Sequence, residues 1–251
     1  MSRAFVQQAA LKWKDAGATF DLVFSIIPDD MNLGLRAREE SAWCRVQNDL
    51  FEEGLVDLQL VLDALNRLGD DVDKRNLNRA RCLWRIGRCH MLLTSQSIYM
   101  LLLPPYLLSV DLDMDSAYEY FIKALKQDSA FAPAFTSLGI YYNDILSPQD
   151  PIRASKCFQK AFELDARETV AARHLVAGFA NDAEWDLVEV VAQRTIDGEG
   201  GISGGLEKGD LDPTSRYIPT NSWAWKAIGV VKFVSGFWAT RSLTDSEIPA
   251  L

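Results

Sequence analysis

The chain has 251 residues, which is enough for one or two ordinary domains or for one extended repeat array. Its 26 Lys and Arg residues against 35 Asp and Glu residues give a formal net charge of −9, which argues against a general nucleic-acid coat and leaves only a local basic strip open. Hydrophobic residues make up 48% and charged residues 24%, so the composition favours a folded, soluble protein over a disordered one.

The cysteines and the apolar runs indicate the compartment. Four scattered cysteines are too few for a disulfide scaffold and favour a reducing environment. The first residues lack the continuous apolar stretch of a signal peptide, and no apolar run approaches the ~20 residues that a bilayer span needs. We therefore expect a cytoplasmic protein, with a nuclear pool left open.

Helical periodicity dominates from the N-terminal third onward. Between residues 35 and 68, apolar side chains recur every three or four positions, which predicts a helix or a helix pair with one apolar face. The sustained alternation of apolar and polar residues that is typical of a half-buried strand is absent from the sequence. The predicted fold class is all-α.

A basic run follows this segment. Six basic residues and no acidic one lie between 74 and 88, and Arg81, Arg85 and Arg88 have the i, i+4, i+7 spacing of one helix face. One interpretation is a strip that binds RNA phosphate or an acidic partner. The other is an outer helix face whose arginine stems cover apolar surface and whose charges meet neighbouring carboxylates, which is the commoner meaning of such a run.

An internal repeat defines the middle of the chain. Residues 117–128 and 154–165 both read A-x3-F-x2-A-[LF]-x2-D, a spacing that puts a small, a large and a small side chain on one helix face. Before the second copy, residues 135–142 read F-x2-L-G-x2-Y, and the glycine lets a partner helix cross at short distance. Together these residues resemble the tetratricopeptide repeat, a helix–turn–helix unit with the pattern W-x2-L-G-x2-Y followed by A-x3-F-x2-A.

The repeat resemblance implies a helical solenoid with a groove. Stacked repeats form a superhelix whose concave side is lined by the first helices. In the best-matching repeat, Thr136, Ile140 and Asn143 are expected to face that groove. One apolar side chain and two polar ones suit an extended peptide, so we predict that these three residues contact a protein partner.

The tetratricopeptide pattern recurs incompletely before and after the best-matching repeat. Upstream, Leu83, Ile86 and Gly87 fill first-helix places of the repeat that residues 117–124 complete, after an insertion. Residues 197–222, which contain six glycines, then precede the last repeat start. Such a long stretch without secondary structure predicts a flexible linker.

The last repeat start does not continue as a repeat. Trp225 and Gly229 fill first-helix places, whereas the second-helix places fall on Arg241, Asp245 and Ile248, which do not match.

These observations predict four regions. Residues 1–34 form an irregular or helical N-terminal segment, and 35–196 form a tetratricopeptide-like array with the insertion near 91–116. Residues 197–222 form the Gly-rich linker, and 223–251 form the incomplete repeat and a tail.

A narrower resemblance rests on the content and order of four blocks, residues 131–142, 153–164, 184–192 and 221–229. They are similar to the superkiller protein 3 family, the tetratricopeptide scaffolds of the fungal superkiller complex. The resemblance implies a non-catalytic cytoplasmic scaffold that holds an RNA helicase and WD40-repeat subunits and supports mRNA decay by the RNA exosome. It also implies that the chain is a fragment, because family members are far longer. The alternative is a generic tetratricopeptide adaptor for peptide segments of partners in another pathway.

Three sequence patterns resemble catalytic or metal-binding motifs, but each lacks residues that the motif requires. Ser203 lies in a G-x-S-x-G sequence, but no histidine follows it, which a hydrolase would need. Residues 111–115 begin like a calcium loop without its later glycine and glutamate. Cys82, Cys89 and His90 lack the second ligand pair of a zinc site. We therefore expect no enzyme activity, no metal and no cofactor.

Overall fold

The computed structural model describes residues 1–27, 30, 33–67, 72–100, 114–146, 148–197 and 222–245. Within those ranges every regular element is a helix, which confirms the all-α class. In chain order the elements are α1 (Ser2–Ala9), α2 (Trp13–Ile26), α3 (Leu33–Gln47), α4 (Phe51–Arg67), α5 (Val72–Met100), α6 (Met114–Gln127), α7 (Ala132–Ile140) continued by a π turn (Tyr141–Ile145), α8 (Pro151–Leu164), α9 (Thr169–Asn181), α10 (Trp185–Asp197) and α11 (Ser222–Asp245).

Local chemistry sets several helix ends. The Asp150 carboxylate accepts a hydrogen bond from the backbone N–H of Arg153 at 2.9 Å, and Pro151 begins α8, where its missing N–H costs nothing. Between α3 and α4, Asp49 takes a φ of 65°, a left-handed conformation that aspartate adopts more readily than most residues. The periodic stretch from 35 to 68 is therefore a helix pair.

The helices stack in chain order. Each one packs against the helix before it and the helix after it, from α1 through to α11. In addition α3 contacts α5, α5 contacts α7 and α7 contacts α9, so alternate helices form a continuous row. Packing of each helix on its neighbours in the chain, with smaller contacts between next-but-one helices, is the mark of a solenoid. The predicted tetratricopeptide-type helical solenoid is confirmed.

Two glycines hold consecutive helices close together. A Cβ built on Gly87 of α5 would lie 2.7 Å from Cε1 of Phe121 in α6. A Cβ on Gly139 of α7 would lie 2.5 Å from Cε1 of Phe158 in α8. Both phenylalanine side chains are buried. The first helix of each repeat therefore receives the aromatic ring of the second where the repeat pattern places glycine.

The predicted regions are partly covered by the described residues. Residues 1–34 include α1, α2 and the start of α3. Of the predicted insertion, residues 91–100 continue α5 and 114–116 begin α6, while 101–113 lie outside the described residues, with Asp111 and Asp113 of the calcium-loop pattern among them.

The predicted linker falls almost wholly outside the description. Residues 198–221, including Ser203, and 246–251 are not among the described residues. Of the helices that are described, none is long and apolar enough to cross a membrane.

Candidate interaction surface

The three predicted groove residues lie on α7 and its π turn but differ in exposure. Thr136 is buried, and its hydroxyl donates to Oε2 of Glu168 at 2.8 Å. Ile140 is half-buried and packs beside the Phe158 cluster, and the half-buried Asn143 donates from Nδ2 to Oδ1 of Asp144 at 2.7 Å. The hydroxyl of Thr136 is thus already used within the fold. The contact of these residues with a partner stays a prediction.

Glu168 joins α7 to the start of α9. It occupies the N-cap position of α9, and its carboxylate accepts the Thr136 hydrogen bond. Burial raises the pKa of this carboxyl to about 7, against the opposing effect of that hydrogen bond. The repeat pattern does not reveal this half-buried residue, because the pattern does not include the loop between two repeats.

The π turn carries a cluster of three tyrosines. The ring centroid of Tyr118 on α6 lies 5.3 Å from that of Tyr141 and 6.2 Å from that of Tyr142, and the two adjacent tyrosines are 5.8 Å apart. Burial raises the pKa of Tyr142 to about 12, and the hydrogen bond with Tyr118 acts in the same direction. A π turn is often found at functional sites, and helical periodicity alone does not reveal it.

Two residues of the predicted basic strip belong to a buried ion-pair cluster, which consists of Arg81 and Arg85 of α5 with Glu39 and Glu40 of α3. Arg81 donates from Nε and Nη2 to the two carboxylate oxygens of Glu39, at 2.8 and 2.7 Å. Nη2 of Arg85 lies 2.9 Å from Oε2 of Glu40, and its Nη1 lies 3.0 Å from Oε1 of Glu39. The cluster fastens α3 to α5.

The carboxylate of Glu39 is charged although it is buried. The side chain of Glu39 is 2% exposed and that of Glu40 is 1% exposed. Burial alone would raise the pKa of Glu39, but the charges of Arg81 and Arg85 outweigh it and lower this pKa to about 2. The structure therefore places Arg81 and Arg85 against carboxylates, as the second interpretation of the strip has it, but inside the array and not on a solvated face.

Arg88 differs from the other two residues of the strip. It is half-buried, and burial lowers the pKa of its guanidinium. Among the described residues, no hydrogen-bond acceptor and no carboxylate contacts the Arg88 guanidinium. A cation that has lost water and gained no counterion is suited to an anionic group from outside. Binding of RNA or an acidic partner by the strip stays a prediction, and it now depends on Arg88.

An aromatic row runs from helix to helix beside this cluster. It consists of Trp43 on α3, Trp84 on α5 and Phe131 just before α7. The ring centroids of the two tryptophans are 5.5 Å apart, and those of Trp84 and Phe131 are 6.0 Å apart. Nε1 of Trp84 donates to the hydroxyl of Ser137 at 2.8 Å. Because both tryptophans are only half-buried, this row presents rigid aromatic surface, the kind that dominates the energetics of protein interfaces.

The cysteines of the weak zinc pattern serve the packing of helices. The thiol of Cys82 donates to the carbonyl oxygen of Leu58 at 3.3 Å. Burial raises the pKa of Cys89 to about 12 and that of Cys82 well above its ordinary value, whereas a zinc ligand must be a thiolate. Across the described side chains, no three His, Cys, Asp or Glu residues are grouped so that they could hold a metal ion.

Sequence comparison with known proteins shows which proteins this chain is similar to. Superkiller protein 3 of Schizosaccharomyces pombe is 32% identical over 232 residues, which cover 92% of this chain. Superkiller protein 3 of Saccharomyces cerevisiae is 26% identical over 219 residues, or 87% of this chain. The chain is similar to superkiller protein 3. No protein-family model matches it.

The match confirms the resemblance seen in four short blocks and extends it to most of the chain. The similarity to superkiller protein 3 reaches beyond residues 131–229, because it covers 232 residues. The chain spans only 14% and 13% of the lengths of these two relatives.

Proposed function

We propose that the chain acts as a non-catalytic tetratricopeptide scaffold in a superkiller-type complex. In this role it helps to hold an RNA helicase and WD40-repeat subunits, and it supports exosome-dependent mRNA decay in the cytoplasm. The observation that carries the proposal is the 32% identity to superkiller protein 3 over 92% of the chain. A solenoid of stacked helices fits this role, since its long surface can contact several proteins at once.

The surface proposed for a protein partner is centred on the aromatic row. Trp43 and Trp84 supply half-buried aromatic area, and Arg88 lies one helical turn beyond Trp84 on α5. We extend this surface to Ile140, which like Trp84 packs against the cluster that contains Phe121, and to the half-buried Asn143 that follows it. Tryptophan and arginine are the residues most often found at energetic centres of interfaces, so a partner with an acidic and an apolar group would match.

RNA is proposed only as a minor ligand. Phosphate binding needs several cations that are free to replace counterions. Arg81 and Arg85 already face Glu39 and Glu40, so the strip retains one cation, Arg88, that no carboxylate of the described residues meets. One such contact gives little affinity for RNA at physiological salt, which favours a protein partner.

Co-elution with purified subunits tests the proposal. The chain is mixed with the RNA helicase and the WD40 subunits of the Schizosaccharomyces pombe superkiller complex and separated by size-exclusion chromatography with light scattering. We expect a joint peak that Arg88→Glu weakens. Lys156→Glu is the matched control, because it makes the same charge change on the exposed side of α8.

Two results would contradict the proposal. If the folded chain elutes apart from both subunits, the scaffold role is wrong for this segment. If the chain instead binds unrelated peptide segments with equal affinity, the generic tetratricopeptide adaptor becomes the better description.

A further inference from the structure

A cleft of about 210 Å³ lies where α4, α5 and α6 meet. It is lined by two cationic side chains, two amide side chains and two leucines, namely Arg79, Lys123, Asn66, Gln127, Leu62 and Leu83. These six described residues include no acidic one. A recess that combines apolar side chains with a few convergent polar groups is the usual form of a ligand site. The charge of the lining indicates an anionic ligand.

The guanidinium of Arg79 enters this cleft with most of its donors unused. Its Nη2 donates to the carbonyl oxygen of Leu65 at 3.0 Å, which fastens the side chain to the last turn of α4. Its Nε is buried and meets no acceptor among the described residues. That carbonyl oxygen is the one acceptor that the described residues offer this guanidinium, which has five N–H donors. A cation that has lost water and gained so few acceptors is stabilised by an anion placed against its remaining donors.

Lys123 brings a second positive charge to the cleft from α6. Its Nζ lies 3.0 Å from Oε2 of Glu119, but both side chains of this pair are exposed, at 50% and 64%. An exposed pair of this kind is weak, and an ammonium group has three donors. Lys123 can therefore bind a second carboxylate while it keeps Glu119, or exchange one for the other.

The remaining lining residues indicate what the anion is attached to. Leu83 is buried and Leu62 is half-buried, so Leu62 offers apolar surface beside the two cations. Asn66 is exposed and Gln127 is half-buried, and an amide supplies both the donor and the acceptor that an extended peptide backbone needs. None of the six lining residues is aromatic, so the bases of RNA would have no ring to stack on. The lining favours a peptide over RNA.

We propose that this cleft binds an extended segment of a protein partner in which an acidic residue adjoins an aliphatic one. The carboxylate pairs with Arg79 and Lys123, and the aliphatic side chain lies against Leu62. The inference rests on the charge and chemistry of the cleft, and it goes beyond the scaffold role. It shares no residue with the aromatic row or with Arg88, so that either proposal can fail without the other.

The probe is the peptide acetyl-Ser-Gly-Glu-Leu-Gly-Ser-amide, titrated into the full ¹⁵N-labelled chain and followed by the assigned backbone amides in TROSY spectra. We expect the largest shifts at Arg79, Leu83 and Lys123, and a dissociation constant that rises with salt. The same peptide with glutamine in place of glutamate should bind at least about tenfold more weakly, because it loses the charge-assisted hydrogen bonds. This comparison changes the charge without altering the chain.

Variants of the chain locate the site. Arg79→Gln should weaken binding of the glutamate peptide at least about tenfold, and Lys123→Gln about two- to fivefold, because Lys123 is exposed. Lys126→Gln is the matched control for Lys123→Gln and should leave the affinity unchanged, since Lys126 is an exposed lysine of α6 outside the lining. Circular dichroism establishes that each variant is folded, and Lys123→Gln removes only surface contacts.

Four results would overturn the proposal. The first is the absence of shifts at millimolar peptide, and the second is equal affinity for the glutamate and glutamine peptides. The third is a stronger shift of the same amides by single-stranded oligouridylate, which would make RNA the ligand. The fourth is tighter peptide binding after Asp70→Asn and Asp71→Asn together, which would show that carboxylates of this chain compete for the cleft.

Discussion

Replacing Gly139 by alanine should destabilise the array, although alanine is the better helix former. The added Cβ would lie 2.5, 2.6 and 2.8 Å from Cε1, Cδ1 and Cζ of Phe158. Ordinary carbon–carbon contacts begin near ~3.5 Å. Phe158 is only 3% exposed and cannot swing into solvent, so α7 and α8 must separate or the ring must leave its preferred rotamer.

The expected magnitude follows from two opposing effects. Overpacking of a filled core costs about 1–3 kcal/mol, and three ring carbons within overlap distance place this site toward the upper end. The change from glycine to alanine within a helix returns up to about 1 kcal/mol. The free energy of unfolding should therefore fall by about 1–2 kcal/mol. Gly229→Ala has no such overlap and should raise it by up to about 1 kcal/mol.

Urea unfolding followed by far-ultraviolet circular dichroism measures both variants under the same conditions. A second comparison places Gly139→Ala in a Phe158→Leu background, where a smaller and more adaptable side chain should remove most of the overlap. If Gly139→Ala stabilises the unchanged chain as much as Gly229→Ala does, the glycine is not required by the aromatic ring and the packing argument fails.

Three other changes test the buried polar groups. Arg85→Ala should lower stability by about 1.5–3 kcal/mol in urea unfolding, because it removes charge-assisted hydrogen bonds to the buried Glu39 and Glu40, which keep only Arg81 and Arg36 as cationic partners. A loss as small as that of Lys123→Ala, whose surface pair is worth about 0.3–0.5 kcal/mol, would contradict this. Glu168 holds its proton to about pH 7 when folded and to about 4.5 when unfolded, so its contribution is present at low pH and is lost as pH rises from about 4.5 to 7. Glu168→Gln should flatten that decline in stability, and an unchanged pH profile would show that the Glu168 carboxyl does not titrate at a raised pKa. Thr136→Val removes the hydrogen bond that lowers the pKa of Glu168, so it should extend the decline in stability to higher pH in the same titration, and a decline over an unchanged pH range would contradict this.

The repeat core could be predicted from sequence because the pattern encodes a contact. The pattern specifies a glycine at which a partner helix can cross at short distance, and the structure places the ring of Phe158 against Gly139. The N-terminal helices α1 and α2 carry no such pattern, and only the structure shows that they extend the stack of consecutive helices. The π turn after Ile140 was equally hidden, since one extra residue per turn leaves no signature in the spacing of apolar side chains.

The candidate surface was harder to predict, because its electrostatics depend on residues far apart in sequence. Helical spacing correctly put Arg81 and Arg85 on one face, but their partners lie more than 40 residues earlier. The sequence around Glu39 and Glu40 does not reveal that these side chains are buried, since a pair of glutamates on a helix is usually solvated. Arg88 differs from the other two arginines because the carboxylates of α3 pair with Arg81 and Arg85 and not with Arg88.

We propose that this segment does in its complex what the matching segment does in superkiller protein 3. A chimaera tests this most directly: the 232 matched residues of the Schizosaccharomyces pombe protein are replaced by those of this chain, and the complex is isolated through a tag on the chimaera. We predict that the RNA helicase and WD40 subunits are recovered in the same ratio as with the unchanged protein. A chimaera that is produced at normal levels but recovers neither subunit would contradict the account.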